Sequence, residues 1–154
     1  HRCARGTRCQ SEYQARISGP LLDRIDLRIE VAALSAGDLI RPGRAEASAS
    51  VAARVARARG IQAERYAALG LSPTLVNAGC PTGLVEQVAA TDAAGLALLA
   101  EASEKLGFSA RAYHRVLKVA RTLADLDGAD TVSRIHLAEA ISYRLPGERL
   151  AQAA

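Results

Sequence analysis

The most regular hydrophobic pattern in the chain runs from Ser109 to Leu126. Its apolar residues recur at steps of three and four, which is typical of one face of a 3.6-residue helix. This apolar face consists of Tyr113, Val116, Leu117, Ala120, Leu123 and Ala124. The cations of the segment are Arg111, His114, Arg115, Lys118 and Arg121. With Ser109 as its N-cap and an end at Leu126-Asp127-Gly128, the pattern predicts a helix that buries its apolar face and turns a basic face towards solvent or a partner.

Three further segments carry helical patterns. Helical spacing begins at Ser48, a plausible N-cap, and continues to Leu69. Thr91 is predicted to cap a helix that ends at Gly107, and Ser133 to cap one that runs to about Tyr143. A lone histidine in the first turn of that last helix, His136, is expected to face solvent. From residue 48 onward, the chain is therefore predicted to be a bundle of about four main helices.

The first part of the chain has a different pattern. Residues Leu27 to Val31 alternate strictly between apolar and polar side chains, which predicts a half-buried strand. A strand needs a ladder partner, and no second strand is predicted here, so we expect this segment to belong to a larger sheet and to be disordered without it. A turn is predicted at residues 18–20. The glycines and proline of residues 35–47 indicate a linker.

Composition supports a mainly α class. Of the 154 residues, 49% are hydrophobic and only 3% aromatic, so the core must be built from small aliphatic side chains. Lys and Arg total 20 against 16 for Asp and Glu, and the net charge of +4 permits an anionic partner without requiring one. No stretch is long and apolar enough for a membrane helix. The absence of Met favours a piece of a longer protein.

The three cysteines, Cys3, Cys9 and Cys80, are odd in number and sparse, which is not typical of the disulfide framework of a secreted domain, so a reducing cytoplasm is expected. Cys3 and Cys9 make too small a ligand set for a zinc site, and no metal site is predicted. The chain contains neither a GxxxxGK[ST] phosphate-binding loop nor a GxGxxG fingerprint. It is therefore not expected to bind a nucleotide through either device.

Two arginines occupy unusual positions. Arg24 lies between a turn and the predicted strand, and either it is presented for function or it pairs with Asp23 or Asp26. Arg111 lies in the first turn of the Ser109 helix, where the helix dipole disfavours a cation. A visiting anion such as phosphate would explain a positive charge there. The alternative is that the position is incidental.

Three segments together resemble a known family. YQARISGPLLDRIDLRIEV, SARAYHRVLKVARTLADL and HLAEAISYR are similar to the C-terminal part of magnesium-chelatase-like AAA+ ATPases of the bacterial competence type. The resemblance implies that residues 1–34 are the end of an α/β AAA+ core and that 35–47 is a linker. It further implies that residues 48–145 form the helical lid and C-terminal domain, with 146–154 as a tail.

The resemblance also implies roles for the two arginines. PLLDRID is similar to the PLLSRFD segment of minichromosome maintenance helicases, so Arg24 would be an arginine finger that reaches the γ-phosphate held by a neighbouring subunit. Arg111 matches the sensor-2 arginine and would contact the γ-phosphate of its own subunit. ATP and Mg²⁺ would be cofactors of the full-length protein, whose phosphate-binding loop lies upstream. The chain alone would bind neither.

The resemblance implies that the full-length protein assembles with copies of itself into a ring, expected to be a hexamer. This ring would be a motor that works on DNA in the cytoplasm. A second hypothesis is a nucleic-acid-binding module whose contacts are Arg115, Lys118 and Arg121. A third is a chelatase subunit that acts in metal insertion.

Overall fold

The structure is a computed structural model that describes residue 12 and residues 16–29, 31–40 and 45–144, without the side chain of Asp38. The helices in these ranges are α1 (Gly19–Leu22), α2 (Ala36–Ile40), α3 (Ser48–Ala68), α4 (Val85–Val88), α5 (Ala93–Leu106), α6 (Ala110–Asp127) and α7 (Arg134–Ser142). Short 3₁₀ turns at Asn77–Gly79 and Thr82–Leu84 precede α4. The described part of the chain is thus mainly helical, and the predicted class is confirmed.

Helix α6 is the centre of the bundle. Its Ser109 cap accepts a hydrogen bond from the amide of Ala112 at 3.1 Å, and Gly128 ends it with a left-handed φ of 70°, both as predicted. The helix packs against α3, α4 and α7 and against the 3₁₀ turn Asn77–Gly79, while α5 packs against α7. The predicted apolar face is confirmed, because Val116, Leu117, Ala120 and Ala124 are buried.

The N-cap of α5 is Asp92 rather than the predicted Thr91. The Asp92 carboxylate accepts a hydrogen bond from the amide of Gly95 at 2.7 Å. Thr91 instead forms an isolated parallel bridge with Val132, in which the Val132 amide donates to the carbonyl of Ala90 at 3.3 Å. The chain entering α5 is thereby tied to the chain entering α7.

Gly95 allows close packing at this junction. A Cβ at this position would lie 2.1 Å from Oγ1 and 3.1 Å from Cβ of Thr91, and 2.9 Å from Cδ1 of Leu137. Rotation of the Thr91 side chain would move its Oγ1 but not its Cβ, so one of the two close contacts with Thr91 would remain. We expect Gly95→Ala to lower the free energy of unfolding by about 1–3 kcal/mol, measured by urea titration, because overpacking a close-packed core forces neighbours to shift.

Gly60→Ala provides the matched control for that substitution. Gly60 lies inside α3, and nothing is within 4 Å of a Cβ built on it. Alanine has the higher helix propensity, so this variant should gain up to about 1 kcal/mol. Equal effects of the two substitutions would show that the packing at Gly95 is not tight.

Only the second half of α3 enters the core. The helix spans the predicted residues, but its N-cap is Ala47 rather than the predicted Ser48. Val51 and Val55 are 36% and 43% exposed, whereas Ala58, Gln62 and Tyr66 are buried. The apolar spacing at the start of α3 therefore does not mark a face that the described residues cover.

The segment before α3 forms no strand among its described residues, as expected without the rest of a sheet, and it departs from its predictions in two other places. The described residues between Leu27 and Val31 form no strand, and their one backbone bond to the bundle runs from the Arg28 amide to the Tyr143 carbonyl, at 2.9 Å. No described residue offers a ladder, so the alternating pattern has nothing to pair with. Gly19 and Pro20 of the predicted turn lie inside α1, and the predicted linker contains α2. Cys3, Cys9 and the tail 146–154 lie outside the described residues.

Candidate functional site

The first turns of α6 border a cationic pocket. The pocket has a volume of about 270 Å³ and is lined by Asp26, Ala78, Thr82, Arg111, His114, Arg115 and Lys118. Its four basic or imidazole side chains come from one face of α6, since they are spaced by three and four residues. Three cations face a single carboxylate, so the pocket is suited to an anion.

Arg111 is the cation of this pocket that has no partner among the described residues. Its side chain is exposed, and no described residue forms a hydrogen bond or an ion pair with it. The other two cations are engaged, because Arg115 pairs with Asp26 and Lys118 donates to the carbonyl of Ala78 at 2.9 Å. The His114 ring packs edge-on against Tyr113 with ring centroids 5.4 Å apart. The first turn of α6 therefore presents one guanidinium that no described residue engages, close to the N-terminus of the helix.

Arg24 is likewise exposed and without a partner among the described residues. The sequence left open whether it pairs with Asp23 or Asp26, and both carboxylates are bound elsewhere. Asp23 accepts from the hydroxyl of Ser109 at 3.1 Å, and Asp26 pairs with Arg115. The alternative of a local ion pair for Arg24 is therefore wrong.

These contacts dock the segment around Arg24 onto the bundle. Buried Arg144 donates to the carbonyls of Ile25 and Asp23, at 3.3 and 3.5 Å, and lies 3.6 Å from the Asp23 carboxylate. Burial lowers the pKa of Arg144, against the charge of Asp23, which raises it. Sequence reasoning missed Arg144, since its partners lie more than a hundred residues away along the chain.

Arg121 was predicted to belong to the exposed basic face, and that prediction is wrong. Its side chain is 2% exposed and its Nε donates to Oδ1 of Asp125 at 3.0 Å. The same guanidinium donates to the carbonyls of Ala129 and Asp130. Burial lowers the pKa of Arg121, and the neighbouring Asp125 opposes that shift. An arginine so enclosed is not available to a nucleic acid.

Asp125 is the centre of a buried polar cluster that links α3 to α6. Its carboxylate, fully buried, also accepts from Arg65 of α3 and from Nδ2 of Asn77, the latter at 2.8 Å. Asn77 in turn accepts from the Tyr66 hydroxyl at 3.0 Å. Burial raises the pKa of Asp125, but the hydrogen bonds from Arg65 and Asn77 and the charge of Arg121 outweigh it, so the pKa lies below its ordinary value. This cluster is structural.

His136 is buried, contrary to the prediction that it faces solvent. Its Nδ1 accepts from the amide of Ser133 at 2.9 Å, which completes a capping box at the start of α7. The other ring nitrogen, Nε2, lies 3.1 Å from the Asp127 carboxylate. A histidine thus takes the place that Glu or Gln usually has in this motif.

The donor set of the pocket fits a phosphate group better than a metal ion. Guanidinium and ammonium groups with helix N-terminal amides bind phosphate oxygens. No group of three or more His, Cys, Asp or Glu side chains in the described ranges could hold a metal ion. Among those same residues, no helix has the length and apolar character needed to cross a bilayer.

Two family models match the chain. The model of the C-terminal part of magnesium chelatase, subunit ChlI, matches residues 45–144, and the model of magnesium chelatase, subunit ChlI, matches residues 1–39. The chain therefore belongs to the magnesium chelatase ChlI family.

Individual proteins with sequences similar to this chain include a competence protein and two YifB proteins. The chain is 44% identical to competence protein ComM of Haemophilus influenzae over 133 residues, which are 86% of this chain and 25% of ComM. It is 40% identical to YifB of Escherichia coli over 144 residues and 38% identical to YifB of Salmonella typhimurium over 142 residues. Each alignment covers 89% of this chain and 27% of the relative. The chain thus spans about a quarter of the length of these proteins.

Proposed function

We propose that the chain is the helical lid and arginine-finger part of a magnesium-chelatase-like AAA+ ATPase. The observation that carries the proposal is that Arg24 and Arg111 are exposed and have no partner among the described residues, while the carboxylates around them are bound by other groups. Free guanidinium groups held on a docked scaffold are suited to meet charge that develops on a transferring phosphoryl group. Residues 1–34 would end the α/β core and 48–145 would form the lid and C-terminal domain.

In the proposed assembly the two arginines act on ATP that is held by upstream parts of the full-length protein with Mg²⁺. Arg24 reaches the γ-phosphate of the neighbouring subunit and stabilises charge in the transition state. Arg111 contacts a γ-phosphate through the cationic pocket, so that the position of α6 depends on the nucleotide state. The subunits form a ring, expected to be a hexamer, which works on DNA in the cytoplasm.

The pocket does not favour a separate nucleic-acid-binding module. Of the three contacts suggested for it, Arg115 and Lys118 are engaged within the chain and Arg121 is buried. We therefore propose no second function.

The test of Arg111 uses the full-length protein. Arg111→Ala should lower kcat for ATP hydrolysis about a hundredfold, since removing one preorganised donor has an effect of this size. Affinity for ATP should fall while affinity for ADP stays unchanged, because the contact is made with the γ-phosphate alone. Steady-state hydrolysis and nucleotide titrations measure these quantities.

Arg57→Ala is the matched control, since Arg57 is an exposed helical arginine without a partner among the described residues. It should leave kcat and both affinities unchanged. Wild-type hydrolysis by Arg111→Ala, or an equal loss of ATP and ADP affinity, would contradict the proposed contact.

A further inference from the structure

The two aspartates that flank Arg24 are both bound by groups of the helical bundle. Asp23 accepts from the hydroxyl of Ser109, the residue that also caps α6, and lies beside buried Arg144. Asp26 pairs with Arg115, which lies one helical turn after Arg111. Arg24, the charged side chain between the aspartates, has no partner among the described residues.

Backbone contacts fix the same segment. The Arg144 guanidinium bridges the carbonyls of Asp23 and Ile25, so one buried side chain spans the backbone on both sides of Arg24. The Arg28 amide donates to the carbonyl of Tyr143, the residue before Arg144, at 2.9 Å. The end of α7 and the start of α6 therefore hold the backbone around Arg24 from two elements.

Stability alone does not account for this arrangement. The Arg115 and Asp26 side chains are 31% and 41% exposed, and pairs of that exposure contribute little to folding. Position matters much more for a group that must meet a transferring phosphoryl, because a displacement of about 1 Å can lower a rate about a hundredfold.

We propose that Arg115 and Arg144 are positioning residues for Arg24, acting through Asp26 and Asp23. This inference rests on the function proposed above for Arg24. Because Arg111 and Arg115 are carried by the same helix, a shift of α6 when Arg111 meets phosphate also moves Asp26 and with it the backbone of Arg24. The two candidate catalytic contacts are thereby mechanically linked.

The decisive variant is Asp26→Asn in the full-length protein, because it breaks the pair and leaves every cation of the pocket in place. We expect kcat for ATP hydrolysis to fall at least about tenfold, while KM for ATP does not rise. The unfolding midpoint should stay within about 2 °C. The double substitution of Asp26→Arg with Arg115→Asp restores an ion pair of reversed polarity and should recover part of the lost kcat. A merely structural role would not predict a loss of kcat at an unchanged unfolding midpoint.

One control and one parallel variant accompany Asp26→Asn. Arg54→Gln breaks the comparably exposed pair of Arg54 with Glu46, outside the docked segment, and should leave kcat unchanged. Asp23→Asn should resemble Asp26→Asn, and amide hydrogen exchange at residues 21–28 should accelerate in both, whatever the activity.

The outcomes separate the two proposals. Unchanged kcat and unchanged exchange in Asp26→Asn, together with strong loss in Arg24→Ala, would overturn the positioning role and leave the proposed function intact. Full activity of Arg24→Ala would overturn both the proposed role of Arg24 and the positioning role of Arg115 and Arg144, since Arg24 would then contribute nothing to catalysis. Faster exchange without any loss of kcat in Asp26→Asn would confirm the docking contact but overturn its positioning role.

Discussion

Asp125→Asn is expected to lower the free energy of unfolding of the 154-residue chain by about 3–5 kcal/mol. The substitution removes a charge and leaves Arg121, which is 2% exposed, and Arg65, which is 19% exposed, without their shared carboxylate. An uncompensated buried charge costs much more than the pair contributes, because its solvation is not restored. Urea titration followed by circular dichroism measures the change.

The matched control is Glu101→Gln. Glu101 and Lys105 form an ion pair with the same spacing of four residues, but their side chains are 58% and 71% exposed. Solvent screens such a pair, so this variant should change the free energy of unfolding far less than Asp125→Asn does. A similar loss of stability in both variants would show that the Asp125 cluster is accessible to water.

The pH dependence of stability provides a second test of the same cluster. The pKa of Asp125 is lower in the folded state than its ordinary value of 3.8. Its contribution is therefore complete above the unfolded pKa and is lost as the pH falls from about 4 through the lower, folded pKa. The difference between the wild type and Asp125→Asn should shrink over that acid range and stay constant above it. A difference that grows on acidification would contradict this assignment.

The limits of the sequence pattern are clearest on α6. Arg111, Arg115, Lys118, Arg121 and Asp125 follow one another at steps of three and four, so periodicity places them on one face. Yet the first half of that face borders the open pocket and the second half is covered by α3 and the 3₁₀ turn at Asn77. A helical period reports which residues share a face, but tertiary packing decides how far along the helix that face is covered.

Local chemistry was predictable where it depends on adjacent residues. The Ser109 and Ser133 caps and the glycine ends at Gly107 and Gly128 were predicted correctly, because each depends on a few neighbouring residues. The cap of α5 was misplaced by one position, since Thr and Asp are both good caps and only the fold selects between them.

Partners that are distant in sequence could not be predicted. Arg65 pairs with Asp125, which is 60 residues further along the chain, and no local pattern links the two. The same holds for the docked segment, where Arg115 and Arg144 bind the residues that flank Arg24. Spacing rules predict contacts within one helix, whereas these contacts depend on how elements meet.

Arg24→Ala is expected to lower kcat of the full-length ATPase by about 10³-fold or more, which is the range for an arginine finger. Arg24 has no partner among the described residues and is exposed, so its loss should leave the free energy of unfolding within about 0.5 kcal/mol. Arg24→Lys should recover little activity, because an ammonium lacks the planar fork of guanidinium donors. Single-turnover hydrolysis and thermal unfolding together distinguish lost chemistry from lost structure.

Mixed rings test whether Arg24 acts on the neighbouring subunit. One mutant carries Arg24→Ala and keeps an intact ATP-binding site. The other cannot bind ATP but keeps Arg24, so each mutant supplies what the other lacks. If Arg24 acts in trans, a mixed ring contains interfaces that combine an intact ATP site with an intact Arg24, and activity should rise above that of either mutant alone. If Arg24 acts on its own subunit's ATP, no interface combines the two, and mixing restores nothing. Absence of complementation in rings shown to contain both subunits would therefore contradict the trans assignment while leaving the loss in Arg24→Ala to be explained within one subunit.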